Sequence, residues 1–169
     1  MTGISEGGFE CWIAAVIDDR LAAIAPVIGV TRWTDTDNPV IAALSLVGRI
    51  ALMPRVYDAA RKDLKEEKIN ARVVQYVDDK LTPGMRDRFD PLRMVPLLAP
   101  RPLLILAHEK DQLIPLAGTK QVYEATRKRY ADLKAEDKVA MRVAPGLPHE
   151  AADEEEIKAL VAWFDKWLK

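Results

Sequence analysis

Three kinds of side chain in this sequence could together form a covalent bond to a substrate and move the proton released: a serine hydroxyl, a carboxylate and an imidazole. Ser5 lies in Gly3-Ile4-Ser5-Glu6-Gly7-Gly8, which fits the G-x-S-x-G pattern. A serine held on a sharp strand-to-helix turn exposes its Oγ, and such a turn leaves little room for side chains two residues to either side. Glycine otherwise costs about 1 kcal/mol relative to alanine in a helix. Gly7 and Gly8 stand where a helix has to begin, so they ask for a compensating reason; a glycine-rich cap is the plainer alternative. The chain has two histidines, His108 and His149. Asp111 stands in "HEKDQLIP" and His149 in "APGLPHEAADEEE", each directly after an apolar run. Taken singly, Asp111 reads as a turn or cap residue and His149 as a solvated loop residue. Taken with Ser5, they follow the order serine, acid, histidine in which a G-x-S-x-G turn recruits its partners.

The elements that must position these groups can be read from periodicity. Phe9, Trp12, Ile13, Val16 and Ile17 make one apolar helix face. "LAAIAPVIGV" (21–30) reads as a strand covered on both faces, with regular pairing ending near Pro26, which has no N–H to give. "RPLLILAHE" (101–109) and "KVAMRVAPG" (138–146) read as two more strands, separated by a helical pattern from Thr119 to Leu133. Ile157, Leu160, Val161, Phe164, Trp167 and Leu168 mark a final helix, with Glu154, Glu155 and Glu156 in its first turn, where the dipole favours negative charge. This alternation predicts an α/β fold with a mostly parallel sheet. Residues 31–99 break the rhythm. Asn38-Pro39 reads as a cap and first helical position leading into "VIAALSLVGRIAL", and further helices are expected over 55–67 and around Ile69, Val73, Tyr76, Val77 and Leu81. This block is expected to be a helical insertion over one end of the sheet, within a single domain of 1–169.

Composition narrows the function classes. The 169 residues are 49% hydrophobic and 30% charged, as in a soluble globular domain. Lys plus Arg number 25 against 26 Asp plus Glu, which gives no electrostatic reason to expect nucleic acid or an anionic membrane as partner. The lone Cys11 cannot make an intrachain disulfide, no Cys/His cluster has zinc spacing, and "KEEK" and "DEEE" read as solvated faces. No leader-like segment opens the chain and no apolar run is long enough to span a bilayer. A cytoplasmic location is the resulting expectation, one that an upstream N-terminus would reopen.

"GISEGGF", "RPLLILAHEKDQLIP" and "GLPHEAADEEEIKALVAWFDKWL" resemble the serine turn, acid loop and histidine loop of the α/β-hydrolases, in particular esterase-like and dienelactone-hydrolase-like members. "LAAIAPVIGVTRW" is similar to their strand after the serine-bearing turn and its helix. The resemblance covers nearly the whole chain but only the C-terminal half of that fold. It implies a Ser5–Asp111–His149 triad acting on a small acyl substrate, with the Glu6 backbone N–H as an oxyanion donor and no metal or cofactor. Esters are the expected substrates, with peptides or lactones as alternatives. Activity is expected to fall as pH drops through the imidazole range, about 6.5 when unperturbed. His108 departs from the family, which has glycine there, and is expected to be a turn residue; Cys11 is expected to be a packing residue.

In the family the serine turn follows the fifth of eight strands. Met1 is therefore expected to be an internal methionine of a longer protein, and the chain alone to be weak or inactive. A non-catalytic remnant serving as an interaction module is the alternative. Self-association is expected through an exposed edge of the strand at 21–30.

Overall fold

The computed structural model describes residues 1–33, 50, 53–81, 83–84, 88–149 and 154–168. They divide into two compact units, Met1–Arg32 with Pro91–Lys169, and Trp33–Asp90. In chain order the elements are β1 (Thr2–Ile4), α1 (Glu6–Ile17), β2 (Ala25–Val27), α2 (Pro54–Asp63), α3 (Ala71–Tyr76), α4 (Pro91–Met94), β3 (Leu103–His108), α5 (Leu116–Asp132), β4 (Val139–Ala144) and α6 (Glu154–Trp167).

The first unit is built on a parallel sheet of order β1-β2-β3-β4. Every residue of β3 is buried, as the apolar run demands of a strand covered on both faces. Leu104 and Leu106 alternate onto the face where Leu160, Trp163 and Phe164 of α6 pack. β2 is far shorter than the run at 21–30. Pro26 sits inside it, paired with Gly3 of β1, and the regular register to β3 is reduced to Val27 opposite Leu106. Pairing to β3 resumes on either side, where Ile24 N–H donates to the Pro102 carbonyl and Ile28 N–H to that of Leu106. A proline is tolerated because its neighbours carry the ladder.

The expected exposed edge of the strand at 21–30 is corrected by this topology. β1 pairs along β2 from Thr2–Ala25 to Ile4–Val27, so the outermost strand is β1 itself, where Ile4 is 66% exposed. The strand at 21–30 has partners on both sides.

Two helix faces also differ from their periodicity. On α1 the buried residues are Gly8, Phe9, Cys11, Trp12 and Ala15, while Ile17 is 80% exposed. Small residues face the sheet because the helix lies against it at backbone distance. On α6, Ile157, Val161 and Leu168 are exposed, and Trp163 packs in their stead.

The second unit covers Trp33–Asp90, narrower than the 31–99 read from sequence. Its α2, α3 and the π-helical turn Val77–Leu81 that follows bury Tyr57, Ala60, Val73 and Val77 together. The Asn70 side chain accepts from Val73 N–H at the start of α3, and the buried Asp90 carboxylate accepts from Trp33 N–H, tying the ends of the unit. The expected cap at Asn38-Pro39 and the helix over 40–52 lie outside the described residues apart from Ile50, which is helical. Among the described residues no helix is long and apolar enough to cross a membrane.

Candidate active site

Ser5 is the hinge between β1 and α1. Its φ of 55° and ψ of −112° lie outside the regions open to most L-residues, a strained backbone that surrounding structure has to hold. Ser5 N–H donates to the Val27 carbonyl on one side, and Ser5 O accepts from Phe9 N–H on the other. The glycines make the turn possible, though not quite as the motif suggests. A Cβ on Gly3 would fall 2.2 Å from the Gly7 carbonyl oxygen, and one on Gly8 would fall 2.6 Å from that of Val27. A Cβ on Gly7 would meet nothing within 4 Å. Of the two glycines after the serine, steric necessity belongs to Gly8.

Asp111 lies in the loop leaving β3 and its side chain is wholly buried. Oδ1 accepts from Leu113 N–H and Ile114 N–H, both at 2.8 Å, which fixes the carboxylate plane and turns Oδ2 outward. His149 lies in the loop leaving β4. Its Nδ1 is 2.8 Å from Asp111 Oδ2, and its Nε2 is 2.8 Å from Ser5 Oγ. A carboxylate can only accept, so Nδ1 carries the ring hydrogen and Nε2 is left to accept from the serine hydroxyl. The three residues singled out in the sequence thus stand in one hydrogen-bonded line, although Ser5 and His149 are 144 positions apart.

The acid and histidine loops are laced together. Glu109 N–H donates to the Ala144 carbonyl and Lys110 N–H to that of Leu147. Gly146, at φ 70°, supplies the left-handed turn after β4, and its N–H donates to Glu109 Oε2 at 2.7 Å.

Two expectations change here. His108 is no turn residue: it ends β3 and is 1% exposed. Its Nδ1 lies 2.7 Å from the Pro148 carbonyl and its Nε2 3.0 Å from Glu156 Oε2. Glu156 is accordingly not part of a solvated acidic face; it is buried, and its Oε1 has no hydrogen-bond partner among the described residues. Burial alone would lower the His108 pKa, but the bonds to Glu156 and Pro148 and the charges of Glu156 and Asp111 outweigh it and hold the imidazole above its ordinary range. The sequence signal for this pair was the departure of His108 from glycine, joined to an acid inside the first turn of α6.

Glu6 opens α1, so its backbone N–H belongs to the first turn, whose donors have no intrahelical acceptor. Cys11 is fully buried and burial pushes its thiol pKa up, which suits packing and not nucleophilic attack. Among the described residues no group of three or more His, Cys, Asp or Glu side chains could hold a metal ion.

No family model matches the sequence, and no curated protein does. Solved structures do match its fold. A carbohydrate esterase family 15 glucuronoyl esterase from Caldicellulosiruptor kristjansonii is 21% identical, with a TM-score of 0.64 over 99% of this chain and 42% of its own. An acylaminoacyl peptidase from Pyrococcus horikoshii is 18% identical, with a TM-score of 0.63 over 98% of this chain and 23% of its own. The glucuronoyl esterase catalytic domain from Hypocrea jecorina is 17% identical, with a TM-score of 0.59 over 98% of this chain and 43% of its own. The fold is that of the α/β-hydrolases, as the serine turn and the parallel sheet imply, and the chain spans less than half the length of each of these three.

Proposed function

We propose that the chain is a serine hydrolase that cleaves a carboxylic ester through an acyl-enzyme. The observation that carries this reading is the pair of 2.8 Å contacts running from the Ser5 hydroxyl through His149 to Asp111. Ser5 Oγ attacks the acyl carbonyl as its proton passes to His149 Nε2, and Asp111 stabilises the imidazolium that forms. The bond to the leaving alcohol then breaks as His149 returns the proton to the departing oxygen. Water, deprotonated by the same Nε2, attacks the acyl-Ser5 and releases the acid. The Glu6 N–H, at the positive end of the α1 dipole, donates to the oxyanion in both steps. No step calls for a metal or a cofactor, and the partner is a small acyl compound. The esterases among these neighbours favour an ester; the peptidase keeps peptides as an alternative, and lactones follow the same chemistry.

The alternative reading is a non-catalytic chain of the same fold. Labelling with a fluorophosphonate probe, together with release of p-nitrophenol from p-nitrophenyl acetate, separates the two. Modification lost in Ser5→Ala supports the hydrolase. A folded chain that takes up no probe supports the non-catalytic reading.

A further inference from the structure

We propose that His108 is a positioning residue, whose Nδ1–H, held on the Pro148 carbonyl, fixes the loop that aims His149 at Ser5. This rests on the reading of Ser5, His149 and Asp111 as a triad. A carbonyl cannot donate, so His108 Nδ1 must carry a hydrogen to make its 2.7 Å contact. Pro148 immediately precedes His149, so this bond acts on the backbone next to the reacting imidazole. The ring is itself clamped: Nε2 lies on Glu156 Oε2 at 3.0 Å, and His108 is rooted at the end of β3, three residues before Asp111. One buried imidazole therefore joins the strand that carries the acid, the loop that carries the histidine, and the first turn of α6.

Stability is a poor explanation for the pair. Two ionisable groups have been taken out of water, and one carboxylate oxygen, Glu156 Oε1, has no partner among the described residues; an apolar pair of similar volume would serve stability as well or better. What an apolar pair cannot supply is a hydrogen directed at the Pro148 carbonyl. A misplacement of about 1 Å costs roughly a hundredfold in rate, so a bond that fixes the His149 loop has a large effect available to it.

The two nitrogens can be tested separately in the full chain. In His108→Asn the side-chain amide occupies the place of Nδ1 and keeps a donor for Pro148. In His108→Gln it occupies the place of Nε2, keeps a contact for Glu156 and loses Pro148. His108→Leu loses both. The first readout is the low-field Nδ1 proton of His149 on Asp111, observed by nitrogen-correlated NMR of histidine-labelled protein, where only two rings contribute. The second is the rate of Ser5 labelling by a fluorophosphonate. The expected result is a persistent His149 resonance and a labelling rate within about threefold of wild type for the Asn variant. For the Gln and Leu variants the resonance broadens or vanishes and labelling slows by about a hundredfold. Should the Leu variant fail to fold, the Asn–Gln contrast decides. Identical behaviour of the Asn and Gln variants in both readouts would overturn the proposal. If wild type itself resists the probe, the hydrolase reading fails, while the His149 resonance still tests His108 because it needs no substrate.

Discussion

Gly8 and Gly29 meet backbone to backbone: a Cβ on Gly29 would fall 2.4 Å from the Gly8 carbonyl carbon and 2.5 Å from its Cα. Helix α1 can therefore approach the exit of β2 as closely as two chains allow, and Ser5 and Glu6 at its start are held against the sheet. Neither backbone can yield to a methyl group. Gly8→Ala and Gly29→Ala are each expected to lower the unfolding free energy by about 3 kcal/mol, at the upper end for overpacking. Gly7→Ala, where a Cβ meets open space, is expected to be neutral or to raise it by up to about 1 kcal/mol. Urea titration of the three variants reads the contrast directly. An equal loss for Gly7→Ala and Gly8→Ala would show that close approach is not the cause.

The strain at Ser5 can be isolated by comparing two variants that both lack the hydroxyl. A residue held at positive φ costs about 1–3 kcal/mol when it carries a Cβ. Ser5→Gly is accordingly expected to be more stable than Ser5→Ala by about 1 kcal/mol, the gain being reduced by the greater freedom of glycine in the unfolded chain. Neither should react with a fluorophosphonate. Thermal melts under matched conditions decide; an alanine variant as stable as the glycine one would mean that the turn is not strained in solution.

Most of the site was legible in the sequence because its signals are local. The G-x-S-x-G turn needs only six neighbouring residues, and Asp111 and His149 each follow directly on an apolar run that ends in a turn. What escaped was decided by partners far along the chain. Glu156 looks like one of three equivalent acids in "DEEE", and only His108, 48 positions away, distinguishes it. On α1 periodicity finds Phe9 and Trp12 but misses Cys11 and Ala15, because it counts large side chains, whereas the Gly8–Gly29 approach selects small ones for the interior. Pro26 marks the end of regular pairing as its missing N–H implies: β2 stops one residue beyond it, at Val27, and Ile28 N–H gives the last bond to β3.

Asp111 holds its own loop and the His149 ring with different oxygens, so the two tasks are separable. Asp111→Asn can keep a carbonyl oxygen on Leu113 N–H and Ile114 N–H while its NH₂ faces His149 Nδ1. Nδ1 must then accept, the hydrogen moves to Nε2, and the ring can no longer take a proton from Ser5. The expected loss in kcat is about 10⁴-fold, with little change in stability. Asp111→Ala also strips the two backbone donors and is expected to lose a further 1–3 kcal/mol, roughly, of folding free energy. Esterase assays beside denaturation curves test both. A fall in kcat below tenfold for the Asn variant would remove Asp111 from the proposed mechanism.

The His108–Glu156 pair gives a pH dependence whose sign can be worked out. The His108 pKa is held above its ordinary value by Glu156, Pro148 and the nearby Asp111 charge, against the opposing effect of burial. In the unfolded chain it returns to about 6.5. The folded state therefore binds the proton more tightly, and its stabilising contribution is complete below the unfolded value and lost as pH rises through the folded one. Replacing Glu156 by glutamine keeps the shape and removes the charge. The stability difference between wild type and Glu156→Gln is thus expected to be largest near pH 6 and to shrink progressively above it. Urea unfolding at half-unit steps from pH 6 to 9 follows that difference. A gap that stays constant, or widens toward pH 9, would mean that His108 does not carry the extra proton in the folded protein.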